Sequence, residues 1–214
     1  MLKAAEMRPS LFTVGASAGA VGLTVWYPEQ DIENVKPYPY TFYVEGNDDY
    51  MLQTIKNCTL INSYRGIGGS SQCELGVREC HEMMNIENVK GTCLYEGLNM
   101  YNSADVDTIK TLYISNRYWS NAGEKFNAPD RERLDKYTRK NGYGLVIGDL
   151  EWPNFSDVEV SDMICGIIFK PGFRYTFSGS FVDLRITDCD YGIYVSRYSV
   201  NRRGKTWGLG IANS

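Results

Sequence analysis

Three tracts of this chain superimpose on one another: TLINSYRGI (59–67), EVSDMICGI (159–167) and RITDCDYGI (185–193). In each, an aliphatic residue (Leu60, Val160, Ile186) is followed two places on by Asn62, Asp162 or Asp188. Four further on stand Gly66, Gly166 and Gly192, each with an isoleucine after it. The aliphatic-x-Asn step recurs in NIEN (85–88), YISN (113–116) and GIAN (210–213). Self-similarity at a fixed period constrains architecture more than any other sequence signal.

Counted from the Asn or Asp, the spacings are 26 from Asn62 to Asn88, 28 to Asn116, 46 to Asp162, 26 to Asp188 and 25 to Asn213. The long step is one unit plus an insertion of about 20 residues. The inserted stretch, 121–142, is the most charged in the chain, with Pro129 and Asp130 at a helix start and Gly142 at its stop. Leucine-rich repeats need a different leucine spacing, and ankyrin or tetratricopeptide units need paired helices. Here each unit holds a short β-prone run such as CTLI, LYIS, VEVS or LRIT, punctuated by Gly, Asn and Asp. Such strands bury a face by stacking unit upon unit. The expectation is an all-β fold, a parallel β-helix of about six to seven coils with one short helical insertion, filling 1–214 as one partial domain. In that stack Asn or Asp forms a repeated corner, and the glycine four residues later permits the next bend. Val25 and Tyr27 read as an earlier turn of the ladder. Both ends lack an evident cap, so parts of the same polypeptide beyond these residues are expected to cover them.

Composition narrows the function classes. Twenty-two basic against 26 acidic residues give a net charge of -4, which leaves no global field to recruit nucleic acid. The single histidine, His81, excludes a multi-histidine metal centre. No spacing supplies the six to eight oxygens of a calcium site, and neither a metal nor a cofactor is expected. Six cysteines without a C-x-x-C pair read mostly as small buried hydrophobes. The uncharged tract 11–26 is short and rich in Gly, Ala and Ser for a membrane span, and fits a buried strand better than a signal peptide.

The I-x-N…G-I repeats, the tract GLTVWYPEQ (22–30) and the tract HEMMNIENVKGTCLYEGL (81–98) resemble the right-handed, single-stranded parallel β-helix proteins of the pectate-lyase-like superfamily. They are most similar to the bacterial branch related to glycoside hydrolase families 28 and 55. The resemblance implies an extracellular or cell-surface protein that handles a polysaccharide along a groove beside one strand face. The polygalacturonase catalytic set is absent as a set, since His81 stands between Cys80 and Glu82, and Arg185-Ile186 is followed by Thr187. No family catalytic residue transfers to a numbered position.

Candidate chemistry therefore comes from the residues. A glycosidase needs two carboxyl groups flanking the scissile bond. Asp149 and Glu151 form the best local pair. If 145–152 continue as strand, both lie on one face, beside Trp152 as a sugar-stacking ring. Glu82 next to His81 forms a second acid–base candidate, although neighbours on a strand point to opposite faces. Glu29, on a Pro-containing exit beside Trp26 and Tyr27, is either a groove-lining acid or a loop charge. Trp119, with Tyr118 and Tyr101, completes the aromatic set expected to bind sugar. Asp105 and Asp107 read as a loop or corner, and the run 197–205 as a solvated basic loop. The expected activity is hydrolysis of a glycosidic linkage in a polysaccharide. The alternatives are a non-catalytic glycan-binding scaffold (an adhesin or tail-fibre-like segment) and a polysaccharide lyase.

Overall fold

The computed structural model describes residues 10–46, 51–69, 81–170, 177–196 and 208–212. The chain opens with strands β1 (Ser10–Val14), β2 (Gly19–Val21), β3 (Thr24–Val25), β4 (Tyr40–Val44), β5 (Thr54–Gly69), β6 (Asn85–Met100) and β7 (Thr108–Ile114). Helices α1 (Arg117–Ser120) and α2 (Arg131–Asn141) follow, with a 3-10 turn at Glu124–Phe126 between them. Strands β8 (Tyr143–Ile147), β9 (Glu151–Ser161), β10 (Cys165–Phe169), β11 (Ser178–Thr187), β12 (Tyr191–Val195) and β13 (Gly208–Ala212) complete the order. The tract 11–26 thus holds three short strands joined by turns rather than one buried strand, and only Val14, Ala20 and Val25 in it are buried. Cys73, Cys80, Asn213 and the basic run 197–205 lie outside the described residues.

The molecule is mostly β, with all 13 strands in one large sheet. Every pairing among the described residues is parallel, and the pairings sort into two rows. Row A joins β2 and β3, the first half of β5, the first half of β6, β7, β9, β11 and β13. Row B joins β1, β4, the second halves of β5 and β6, β8, β10 and β12. The chain passes alternately through the two.

Alternation along each strand turns one set of side chains inward, and the register brings like with like. In row A, Ile55, Ile86, Ile109, Phe155 and Phe181 stand in file and are buried. In row B the corresponding file is Phe42, Ile67, Leu98, Leu145 and Ile167. Each such side chain contributes about 1.5–3 kcal/mol of burial. Burial also holds the Cys93 thiol up to about 12 and that of Cys165 up to about 11, as inert core groups. Row B ends on β12, where Tyr191, Ile193 and Val195 are exposed.

The Asn/Asp corner exists, with one member reassigned. Ile114 pairs with Val160 and Val160 with Ile186, which aligns Asn116, Asp162 and Asp188 two places on. Asn62 occupies the same place after Leu60, and its amide exchanges two hydrogen bonds with the Tyr27 backbone (2.9 and 3.0 Å). Asp162 Oδ2 accepts from the Asn116 backbone N–H at 3.2 Å. Asn88, by contrast, lies inside row A. There Gly22, Asn57, Asn88, Thr111, Asp157 and Asp183 form a file in which every residue has a left-handed backbone, with φ of 52–73°.

The repeat glycines other than Gly192 serve proximity rather than bending. A Cβ on Gly66 would stand 2.4 Å from the carbonyl oxygen of Gly97, on Gly97 2.6 Å from that of Gly144, and on Gly144 2.5 Å from that of Gly166. Adjacent strands approach so closely there that a side chain has no room, and none of these glycines has a left-handed φ.

The charged insertion folds as its caps require. Asp130 accepts from the Arg133 N–H at 3.1 Å to start α2, and Gly142 ends it. Trp119 and Leu134 pack on Ile61 and Leu94, so the insertion covers the outside of the bend in β5 and β6. Arg131 reaches back to Asp162 at 2.8 Å and ties the helix to the corner.

Candidate functional site

Several residues expected to meet a ligand are enclosed by the fold. Strand β8 ends at Ile147, so Asp149 and Glu151 do not share a strand face; Gly148 lies beneath the Tyr101 ring, and Asp149 stands in a bend. Asp149 is 1% exposed. It accepts from the Asn102 N–H at 3.0 Å and, in the amide orientation that satisfies both groups, from the Asn102 side chain at 2.8 Å. Its carboxylate caps the backbone of the neighbouring strand, as Asp107 does for the Met84 N–H at 2.9 Å. His81 is fully buried with Nε2 3.6 Å from Asp107 Oδ2, and belongs to the interior rather than to a groove.

The aromatic set divides in the same way. Trp119 is 1% exposed and donates to the Phe126 carbonyl beneath the insertion, so it offers no face to a sugar. Trp26 meets Phe126 edge-on in the same cluster. Tyr27 stacks on Tyr38 and bonds Thr41, buried in the core. Tyr118 pairs with Arg117. Glu29 lines a cavity of about 420 Å³ between its own loop and the start of α2, shared with Asp31, Glu33, Asp130 and Arg133. It is exposed, and Lys36 beside it holds its carboxyl below the usual range.

Two predicted residues do come together. His81 bridges Ser103, and Ser103 bridges Leu150, so the residues that follow, Glu82, Ala104 and Glu151, stand in file. The Ala104 N–H bonds the His81 carbonyl at 3.3 Å and the Glu151 N–H the Ser103 carbonyl at 3.1 Å, which fixes that register. Two strand spacings separate the two glutamates, about 9.6 Å between Cα atoms, with Ala104 in file between them. Both are half-exposed.

Beside this file runs a ridge that sequence reasoning missed. The pairing of Thr54, Asn85, Thr108 and Asn154 aligns Leu52, Met83, Val106 and Trp152 two places earlier. They are 54%, 39%, 40% and 57% exposed. Leu52, Met83 and Trp152 also have left-handed backbones, with φ of 63°, 53° and 54°. Bulky residues rarely adopt that geometry, and strain of this kind concentrates at functional sites. No turn chemistry in Leu, Met or Trp announces it, and of the four only Trp152 was legible as a candidate.

The arrangement offers two carboxylates on one strip, a space between them and an apolar edge alongside. Comparison with protein-family models, with curated proteins and with solved structures finds no match to this chain.

Proposed function

We propose that the chain is a right-handed parallel β-helix of the pectate-lyase-like kind, acting outside the cell on a polysaccharide. In this reading it hydrolyses a glycosidic linkage with Glu82 and Glu151. Support for the architecture comes from two rows of parallel strands visited alternately, since crossovers between parallel strands are nearly always right-handed.

Support for the activity rests on one observation, the Glu82–Ala104–Glu151 file. Inverting hydrolysis needs carboxyl groups about 6.5–9.5 Å apart, with room for a water on the far side of the sugar. Side chains projecting from positions two strand spacings apart reach that range. One carboxylic acid then protonates the departing glycosidic oxygen while the other carboxylate removes a proton from the attacking water. The exposed Trp152 ring supplies a stacking surface for a pyranose.

A second reading, glycan binding without cleavage, is favoured by the ridge itself, which stands open rather than walled into a cleft. Reducing-end release from a polysaccharide panel separates the two. Cleavage by the full chain that falls about 100-fold or more in Glu82→Gln and in Glu151→Gln supports hydrolysis. Binding without release leaves the scaffold reading. Release that neither substitution lowers removes both glutamates from the mechanism.

A further inference from the structure

On the outer face of row B, Tyr40, Arg65 and Glu96 stand in file across three strands. Each of the last two precedes a repeat glycine, a position at which a large side chain projects outward next to a residue that has none. Tyr40 OH donates to Glu96 Oε2 at 2.7 Å, and Arg65 Nε lies 3.3 Å from the same oxygen. The Glu96 side chain is 7% exposed and that of Arg65 36%.

Arg65 is held on several sides. Its guanidinium carbon lies 5.0, 5.6 and 5.7 Å from the ring centres of Tyr95, Tyr40 and Tyr64. Tyr64 and Tyr95 are themselves stacked at 5.3 Å. A planar cation fixed in this way has lost most of its rotamer freedom before any ligand arrives. Among the described residues its terminal nitrogens make no hydrogen bond, and neither does Glu96 Oε1. The cluster therefore holds two guanidinium NH2 groups as donors and a carboxylate oxygen as acceptor.

We propose that Arg65 and Glu96, held in place by Tyr40, Tyr64 and Tyr95, form a binding subsite for an uncharged sugar residue through two neighbouring hydroxyls. A hydroxyl both accepts and donates, so one group accepts from Arg65 while it or its neighbour donates to Glu96 Oε1. The carboxylate of an anionic sugar satisfies only the first contact, and its charge is repelled by Glu96, whose own charge already offsets that of Arg65. The inference rests on the carbohydrate reading and narrows it to neutral saccharides at this position. The subsite lies in row B, whereas the Glu82–Glu151 file lies at the approach to row A.

Calorimetric titration of the full chain with a neutral gluco-oligosaccharide and with an oligogalacturonate of equal length tests it. The neutral sugar binds more tightly, and Arg65→Lys, which keeps the charge but loses the fork, weakens that binding about tenfold, as expected for one charge-assisted hydrogen bond. Glu96→Gln shifts preference toward the uronate. Thermal melts of both variants establish that they remain folded, and if Glu96→Gln does not, the Arg65→Lys result decides alone. Uronate binding at least as tight as neutral binding overturns the proposal, as does undiminished neutral binding by Arg65→Lys. In those cases cleavage lowered by Glu82→Gln still stands as evidence of hydrolysis. Binding of neither sugar together with no reducing-end release removes the carbohydrate reading and this subsite with it.

Discussion

Two files of left-handed residues run across row A and its approach, and they solve the same backbone problem with opposite chemistry. In the first, Gly22, Asn57, Asn88, Thr111, Asp157 and Asp183 adopt the geometry. Glycine, Asn and Asp tolerate it best, and the polar members bond along the file: Asn88 to Asn57 at 2.8 Å, Thr111 to Asp157 at 2.9 Å. In the second, Leu52, Met83 and Trp152 adopt it with no such partner and with their side chains in water. A left-handed backbone costs an ordinary residue roughly 1–2 kcal/mol. The first file is explained by the fold alone. The second geometry also recurs in register, with Ser17 (φ 53°) beside Leu52, so the fold uses the bend there too. What the fold does not require is a bulky exposed apolar side chain at that bend, and contact with something outside the chain is the economical account of it.

The largest effect expected from this contrast belongs to the polar file. Asn88→Val places a β-branched residue at φ 52° and removes the bond to Asn57. Together these cost about 2–3 kcal/mol. Urea unfolding measures it, and a loss below about 0.5 kcal/mol means that the file is incidental to the stack. The apolar file responds in the other direction. Trp152→Gly relieves strain and raises stability by about 1 kcal/mol while glycan binding falls. If that variant is less stable than the parent, Trp152 is held by packing, and the division between the two files fails.

Legibility followed the same division. The corner at Asn62, Asn116, Asp162 and Asp188 was readable because Asn and Asp carry turn chemistry, and Asp130 and Gly142 marked α2 for equally local reasons. Asn88 was misplaced because its spacing mimics a regular period. Leu60 pairs with Gly91, 31 residues on, and Gly91 with Ile114, 23 on. The unequal steps average to the apparent repeat. Asp149 read as a catalytic acid facing a ligand because nothing local shows that Asn102, 47 residues earlier, presents an N–H to it. Glu82 and Glu151 were each legible as candidates, but their alignment depends on pairings through Ser103 that no local pattern encodes. Arg65 and Glu96 were hidden in plain order: each stands immediately before a repeat glycine, and the position gained meaning only once the glycines proved to be points of close strand approach.

The smallest effect sharpens the contrast through pH. The Tyr113 hydroxyl, at 2.7 Å, together with Arg185 and Thr111 holds the Asp157 carboxyl below the usual aspartate range. A depressed folded-state pKa contributes stability that is complete above the unfolded value, near about 3.9, and is lost as pH falls through the folded value. The site is more than a third open on its Arg185 side, so solvent and salt screen most of the pairing. The polar file should therefore weaken slightly in acid. Melting temperatures followed from about pH 5 to about pH 3 should decline less steeply in Asp157→Asn than in the parent, and the difference should shrink in salt. Met83→Gly and Trp152→Gly remove no hydrogen bond or ion pair to a carboxylate among the described residues, so their curves should run parallel to that of the parent. An acid-dependent gap in the apolar variants would mean that the ridge is coupled to nearby carboxylates, with Glu82 and Glu151 the first to examine.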